Sequence, residues 1–158
     1  MVELYEVWHY KLRAGEMPDK EDARQDAKLL GDYTSPAKAE AVIAKRSEEE
    51  GFRDWPLGFR IEEVPVDKGL SMRADGPISR YFRLWHFRIG PNDDDDSDDP
   101  AQGATQIGVF SSDQNARAAI ERLRQDSRFR AFPDGFRVSS GPVDVEYWAG
   151  GFIPWDEA

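Results

Sequence analysis

The chain is written twice. Residues 5–67 return as residues 82–144, shifted by 77 positions and without a gap. Trp8-His9 returns as Trp85-His86, and Gly31 and Ser35 return as Gly108 and Ser112. Ala39, Ala41 and Ile43 return as Ala116, Ala118 and Ile120. Phe52-Arg53 returns as Phe129-Arg130, and Pro56, Gly58, Phe59 and Arg60 return as Pro133, Gly135, Phe136 and Arg137. Pro65-Val66-Asp67 returns as Pro142-Val143-Asp144. A repeat this regular means that one supersecondary unit was duplicated, so any fold assigned to one copy must serve the other.

Each copy reads as strand, acidic loop, strand, helix, aromatic loop, strand. The first strand is expected over Leu4–Leu12 and Tyr81–Ile89, both rich in aromatic and large apolar residues. A short second strand falls near Lys28–Tyr33 and Gln106–Phe110, with Gly31 or Gly108 marking a bulge or a close backbone approach. Ser35-Pro36 supplies a capping hydroxyl before a proline at the first helical position. In the second copy Ser112 caps and Asp113 follows in the first turn, where an acid suits the helix dipole. Ala116, Ala119, Ile120 and Leu123 form one apolar stripe, which predicts a helix lying on a sheet with its back to water. The first copy matches at Ala39, Val42 and Ile43 and breaks at Arg46. The last strand is expected over Phe59–Val66 and Phe136–Val145, with Pro65 and Pro142 placing it at an edge or a strand end.

The fold expected is therefore α+β. Two ββαβ repeats form antiparallel sheets with helices packed on their faces, related by a pseudo-twofold, as one continuous sheet or as two. The first module covers 1–67, a Gly- and Ser-containing linker 68–80, and the second module with a C-terminal tail 81–158. A lone module of this size is marginal, so packing of the two into one body is expected.

The net charge of −10 and a pI near 4.7 disfavour nucleic acid as a partner, because binding a phosphate backbone rests on Lys and Arg releasing counterions. They favour a basic protein partner. Cys is absent, so neither disulfides nor thiolate chemistry is available. No apolar run approaches the roughly 20 residues that cross a bilayer, and the N-terminus lacks the pattern of a signal peptide. The expectation is a cytoplasmic chain with no membrane partner and no cofactor, monomeric or homodimeric.

Four features are candidates for function. His9 and His86 are the only histidines and occupy equivalent positions; with no nucleophile or zinc spacing nearby, each is expected half-buried with one structural hydrogen bond. The first strand is apolar on both faces, with Tyr5, Val7 and His9 opposite Leu4, Trp8, Tyr10 and Leu12. One face should meet the helices. The other is left for the sister module, a second subunit or a partner, which makes Trp8 and Trp85 candidate contact residues. The run Asp93, Asp94, Asp95, Asp96, Asp98 and Asp99, with Glu16 and Asp19 in the equivalent first loop, is a solvated acidic loop or an element that enters a basic cleft. It lacks the interior Gly and distal Glu of a calcium-binding EF-hand loop. The segment Phe52–Arg60 and its copy read as a turn that plugs the core.

The Gly-x-[Tyr/Phe]-[Ser/Thr]-Ser strand exit, the Ala-rich helix and the Gly-Phe-x-x-x-Pro-x-Gly-Phe loop resemble a family of small bacterial domains of unknown function. Members often end in Trp-x-x-Gly-Phe, matched here by Trp148-Ala149-Gly150-Gly151-Phe152. Such small acidic domains resemble the immunity proteins that accompany bacterial toxins. The resemblance implies a non-enzymatic binding protein that occludes the active site of a cognate toxin, and the partner it implies is a basic toxin domain. A homo-oligomeric structural or scaffold module is the alternative. Trp148 joins Trp8, Trp85 and the acidic residues as a candidate contact.

Overall fold

The computed structural model describes residues 1–19, 26–88, 104–147 and 150–152. Strand β1 is Glu3–Lys11, β2 Asp26–Tyr33, helix α1 Pro36–Arg46 and β3 Phe59–Pro65, with a short 3-10 turn at Pro56–Gly58 before β3. The second copy repeats the order with β4 Arg80–Phe87, β5 Ala104–Phe110, α2 Asp113–Leu123 and β6 Phe136–Pro142. Two separate three-stranded sheets result, in the orders β2-β1-β3 and β5-β4-β6. The chain is α+β with two ββαβ-like units, as the repeat predicts.

Of the bulge or close backbone approach expected at the strand glycine, a bulge beside it is present in both copies. Val7 faces Gly31 and Trp8 faces Leu29, so Leu30 is the extra residue. Leu84 faces Gly108 and Trp85 faces Gln106, which leaves Ile107 as its counterpart. The helices start where their caps predict: Ser35 Oγ accepts from Lys38 N at 3.3 Å, and Ser112 Oγ from Asn115 N at 3.0 Å.

One face of each central strand carries the core. Val7 packs with Leu30, Tyr33, Ala39 and Phe52, and Tyr5, Val42, Ile43, Phe59 and Ile61 close around them. Leu84 packs with Phe110, Ala116, Ala119, Ile120, Leu123, Phe129 and Phe136 in the other copy. The stripe of α1 does not lose its last position at Arg46, as its sequence suggests. Arg46 is buried, with its guanidinium 5.7 Å from the centre of the Phe52 ring and paired to Glu49 and Glu146. The aliphatic stem covers apolar surface while the head finds carboxylates, so a cation fills the place Leu123 fills in α2.

The last strands are shorter than expected, most of all in the second copy, where β6 ends at Pro142 and not at Val145. Asp67 and Asp144 stand just beyond β3 and β6 with φ of 57° and 61°, which turns the chain out of the ladder. The compact units accordingly cut across the repeat. One holds Glu3–Val64 with the segment that begins at Val143; the other holds Met1–Val2 with Pro65–Pro142. In the latter, residues 68–74 are docked and not a free linker: Leu70 packs on the core, Gly69 O accepts from Arg122, and Met72 O accepts from Asn115.

Candidate functional site

The repeated polar residues have local structural tasks. His9 is buried, with Nε2 3.1 Å from Trp55 O, and its ring lies 5.0 Å from Phe52 and 4.4 Å from Phe59. His86 repeats this with Phe132 O at 2.9 Å and with Phe129 and Phe136 at 4.7 and 4.8 Å. A ring nitrogen facing a carbonyl must donate, so Nε2 carries the proton in each. Burial holds the His9 pKa below the ordinary histidine value, keeping the imidazole neutral. The single hydrogen bond agrees with the sequence reading, but both rings are buried and not half-buried. The reason lies in the Phe52–Arg60 turn and its copy, whose two phenylalanines pack against the ring.

That same turn forms one wall of an open groove in the unit of the first repeat. Its other wall is the loop leaving β1. Leu12, Trp55 and Pro56 give an apolar floor with Leu57 on the wall, and Arg13, Glu16 and Asp54 bring charge, around a volume of about 610 Å³. The loop holds its shape because Glu16 Oε2 accepts Arg13 N–H at 2.7 Å and Gly15 turns with φ 86°. Trp55 is buried against Tyr10 and Leu12, with Lys11 Nζ 5.4 Å from its ring centre. Leu57 on the wall and Met17 just past Glu16 are 68% and 67% exposed, large apolar side chains presented to solvent.

Glu16 is thus the one predicted contact residue that lines this groove. Asp19 is exposed further along the same loop. Trp8 is half-buried beside the Tyr10–Leu12–Trp55 cluster and donates Nε1–H to Glu6 Oε2 at 2.9 Å. Trp85 is half-buried on the other unit, its Nε1–H 3.3 Å from Ser139 Oγ. Asp93, Asp94, Asp95, Asp96, Asp98, Asp99 and Trp148 lie outside the described residues. Sequence reading missed Trp55, Asp54 and Leu57 as groove residues. The available signal was that Leu57 is a large apolar residue between Pro56 and Gly58, where a turn ordinarily carries polar side chains.

Among the described residues no group of three or more His, Asp or Glu is placed to hold a metal ion, and no helix is long and apolar enough to cross a membrane. No protein-family model, no curated protein and no solved structure matches this chain.

Proposed function

We propose that this chain is a non-enzymatic binding protein of the immunity type, which neutralises a cognate bacterial toxin by occluding its active site. The observation that carries the reading is the groove: exposed Leu57 and the Leu12–Trp55 floor lie beside the carboxylates of Glu16 and Asp54, in a chain of net charge −10. An apolar centre with acidic groups near it suits a protein partner that offers an apolar side chain next to Lys or Arg. The apolar part supplies affinity, while the charges steer encounter and exclude wrong partners. The acidic run 93–99 contributes to the same net charge, and its role in this reading is at the encounter step. The repeated histidines stay outside this role, since both are taken up by backbone carbonyls inside the aromatic clusters.

The test is co-expression of the full chain with the products of adjacent genes, followed by co-purification and rescue from toxicity. Leu57→Ala and Asp54→Lys should each weaken capture at least tenfold and leave the melting curve nearly unchanged, because both side chains lie at the surface. Neutralising the six aspartates of the run should slow association and flatten its salt dependence. Failure of every adjacent product to bind or to be neutralised would overturn the reading. A stable homodimer that needs Trp8 and Trp85 would favour a scaffold module instead.

A further inference from the structure

Leu12 and Trp55 belong both to the groove and to a buried cluster with Tyr10, and Phe152 packs on that cluster. The Phe152 ring meets the Trp55 indole edge-on, with 6.0 Å between centres and 82° between planes, and lies 5.5 Å from His9. Such edge-to-face pairs hold an orientation as well as burying area. Phe152 is half-buried and is not one of the residues that line the groove.

The seat of Phe152 is built independently of the groove. Its N–H donates to Gly51 O at 2.9 Å, and Lys28 Nζ donates to Gly151 O at 3.1 Å while standing 4.8 Å from the Phe152 ring centre. Gly51 has φ 78°, and a Cβ there would stand 2.6 Å from Phe152 O, so the close approach needs the glycine.

The second repeat supplies the comparison. At the offset of the repeat Trp55 corresponds to Phe132, Gly51 to Arg128, Lys28 to Thr105 and Phe152 to Asp75. Asp75 is exposed, and Phe132 is half-buried where Trp55 is buried. The contact chemistry of the groove changes with them, since Leu57 corresponds to Asp134 and Asp54 to Ala131. The copy without a counterpart of Phe152 thus also lacks the exposed leucine, although it keeps the Gly-Phe turn.

We propose that Phe152 is the positioning residue of the groove: it fixes the Trp55 indole as the floor, and so sets how well the groove receives a partner's apolar side chain. This rests on the binding role proposed above and deepens it. Phe152 acts through Trp55, and its contribution is a floor that needs no ordering when the partner arrives. By reciprocity, an occupied groove holds Phe152 more firmly in its seat.

The test uses the full chain with labelled methyl groups and indoles, well below its melting temperature. Phe152→Ala should weaken the nuclear Overhauser contacts between the Trp55 indole and the Leu12 methyls and move the Leu57 methyl signals. Val7 and Val42, in the core beneath the helix, should keep theirs. Lys28→Thr leaves the ring in place but removes its cation and the bond to Gly151 O, so it should act in the same direction and less. Capture of the toxin should weaken about tenfold in Phe152→Ala, within the usual range of coupling between sites. Native Trp55–Leu12 contacts and Leu57 signals in Phe152→Ala would overturn the proposal. So would changes at Val7 and Val42 as large as those in the groove, or unchanged capture. If no partner is found the binding role falls, and the contacts of Trp55 still decide whether Phe152 positions it.

Discussion

Asp144 receives the backbone N–H of Thr34 at 2.8 Å and its hydroxyl at 2.8 and 3.0 Å on the two carboxylate oxygens. At the equivalent place in the repeat Asp67 receives the N–H of Ser111 at 2.9 Å and its hydroxyl at 2.5 Å, together with Ala74 N–H at 2.9 Å. In both cases a left-handed aspartate at the end of a third strand satisfies the turn between a second strand and its helix. Alanine at either position would leave those donors unsatisfied and be strained at positive φ. Asp67→Ala should destabilise by about 2–3 kcal/mol and Asp144→Ala by about 1 kcal/mol, since only Asp67 is fully buried. Melting temperatures read by circular dichroism should fall in that order, and equal values would contradict the burial argument.

Replacing the histidines tests their structural role. His9→Ala removes a ring packed among Phe52, Phe59 and Phe152 and leaves Trp55 O without its donor. A loss of about 3 kcal/mol is expected, in the range of large-to-small core substitutions. His86→Ala should behave alike. Chemical denaturation measures both; a neutral effect would show that the aromatic clamp closes without the imidazole.

Arg46 and Leu123 are not interchangeable, although they share a position. Leu123→Arg would bury a guanidinium where Gly69 stands in place of Glu146 and where Asp126 already binds Arg128. An uncompensated buried charge costs about 3–5 kcal/mol. Arg46→Leu keeps the apolar packing and removes one of two cations from Glu146, so its effect should be about 1 kcal/mol and should appear first as faster amide exchange at Tyr147. Equal destabilisation by the two substitutions would refute this asymmetry.

Stability should fall toward acid in two stages. The folded-state pKa of His9 is depressed by burial, so its contribution is complete above the ordinary value of 6.5 and declines as pH drops below it, because the unfolded chain then binds the proton more readily. The second stage involves Asp67, Asp144 and Glu146. Burial raises each pKa, but hydrogen bonds and cations outweigh it: Ser111 and Ala74 at Asp67, Lys38 and Thr34 at Asp144, Lys45 and Arg46 at Glu146. All three are held below the ordinary carboxylate values of 3.8 and 4.5, so their stabilisation is complete above those values, declines as pH falls below them and is lost as pH passes the lower folded-state values. Thermal melts from pH 8 to pH 3 should show both stages, and His9→Phe should remove only the upper one. A flat profile between pH 7 and pH 5 in the native chain would count against a depressed His9.

The sequence by itself determined what is local or repeated. Alternation, caps and the Gly-Phe turns act over a few residues, and their recurrence assigns the same strand, helix and strand to both copies. Gly31 and Gly108 announced their bulges, and Ser35 and Ser112 their helix starts, because each signal and its partner lie within a few positions. Tertiary structure alone decided where Asp144, Glu146, Tyr147 and Phe152 go, since Thr34, Arg46, Asp32 and Gly51 are about a hundred residues away in the chain. It also decided that Arg46 is buried. A cation on an apolar stripe reads as a break until the carboxylates that receive it are known, and one of them, Glu146, comes from beyond the repeat. The groove was half legible for the same reason: Glu16 stood out as an acid in a loop, but its apolar floor forms only when Leu12 and Trp55, far apart in sequence, are brought together by the pairing of the strands around them.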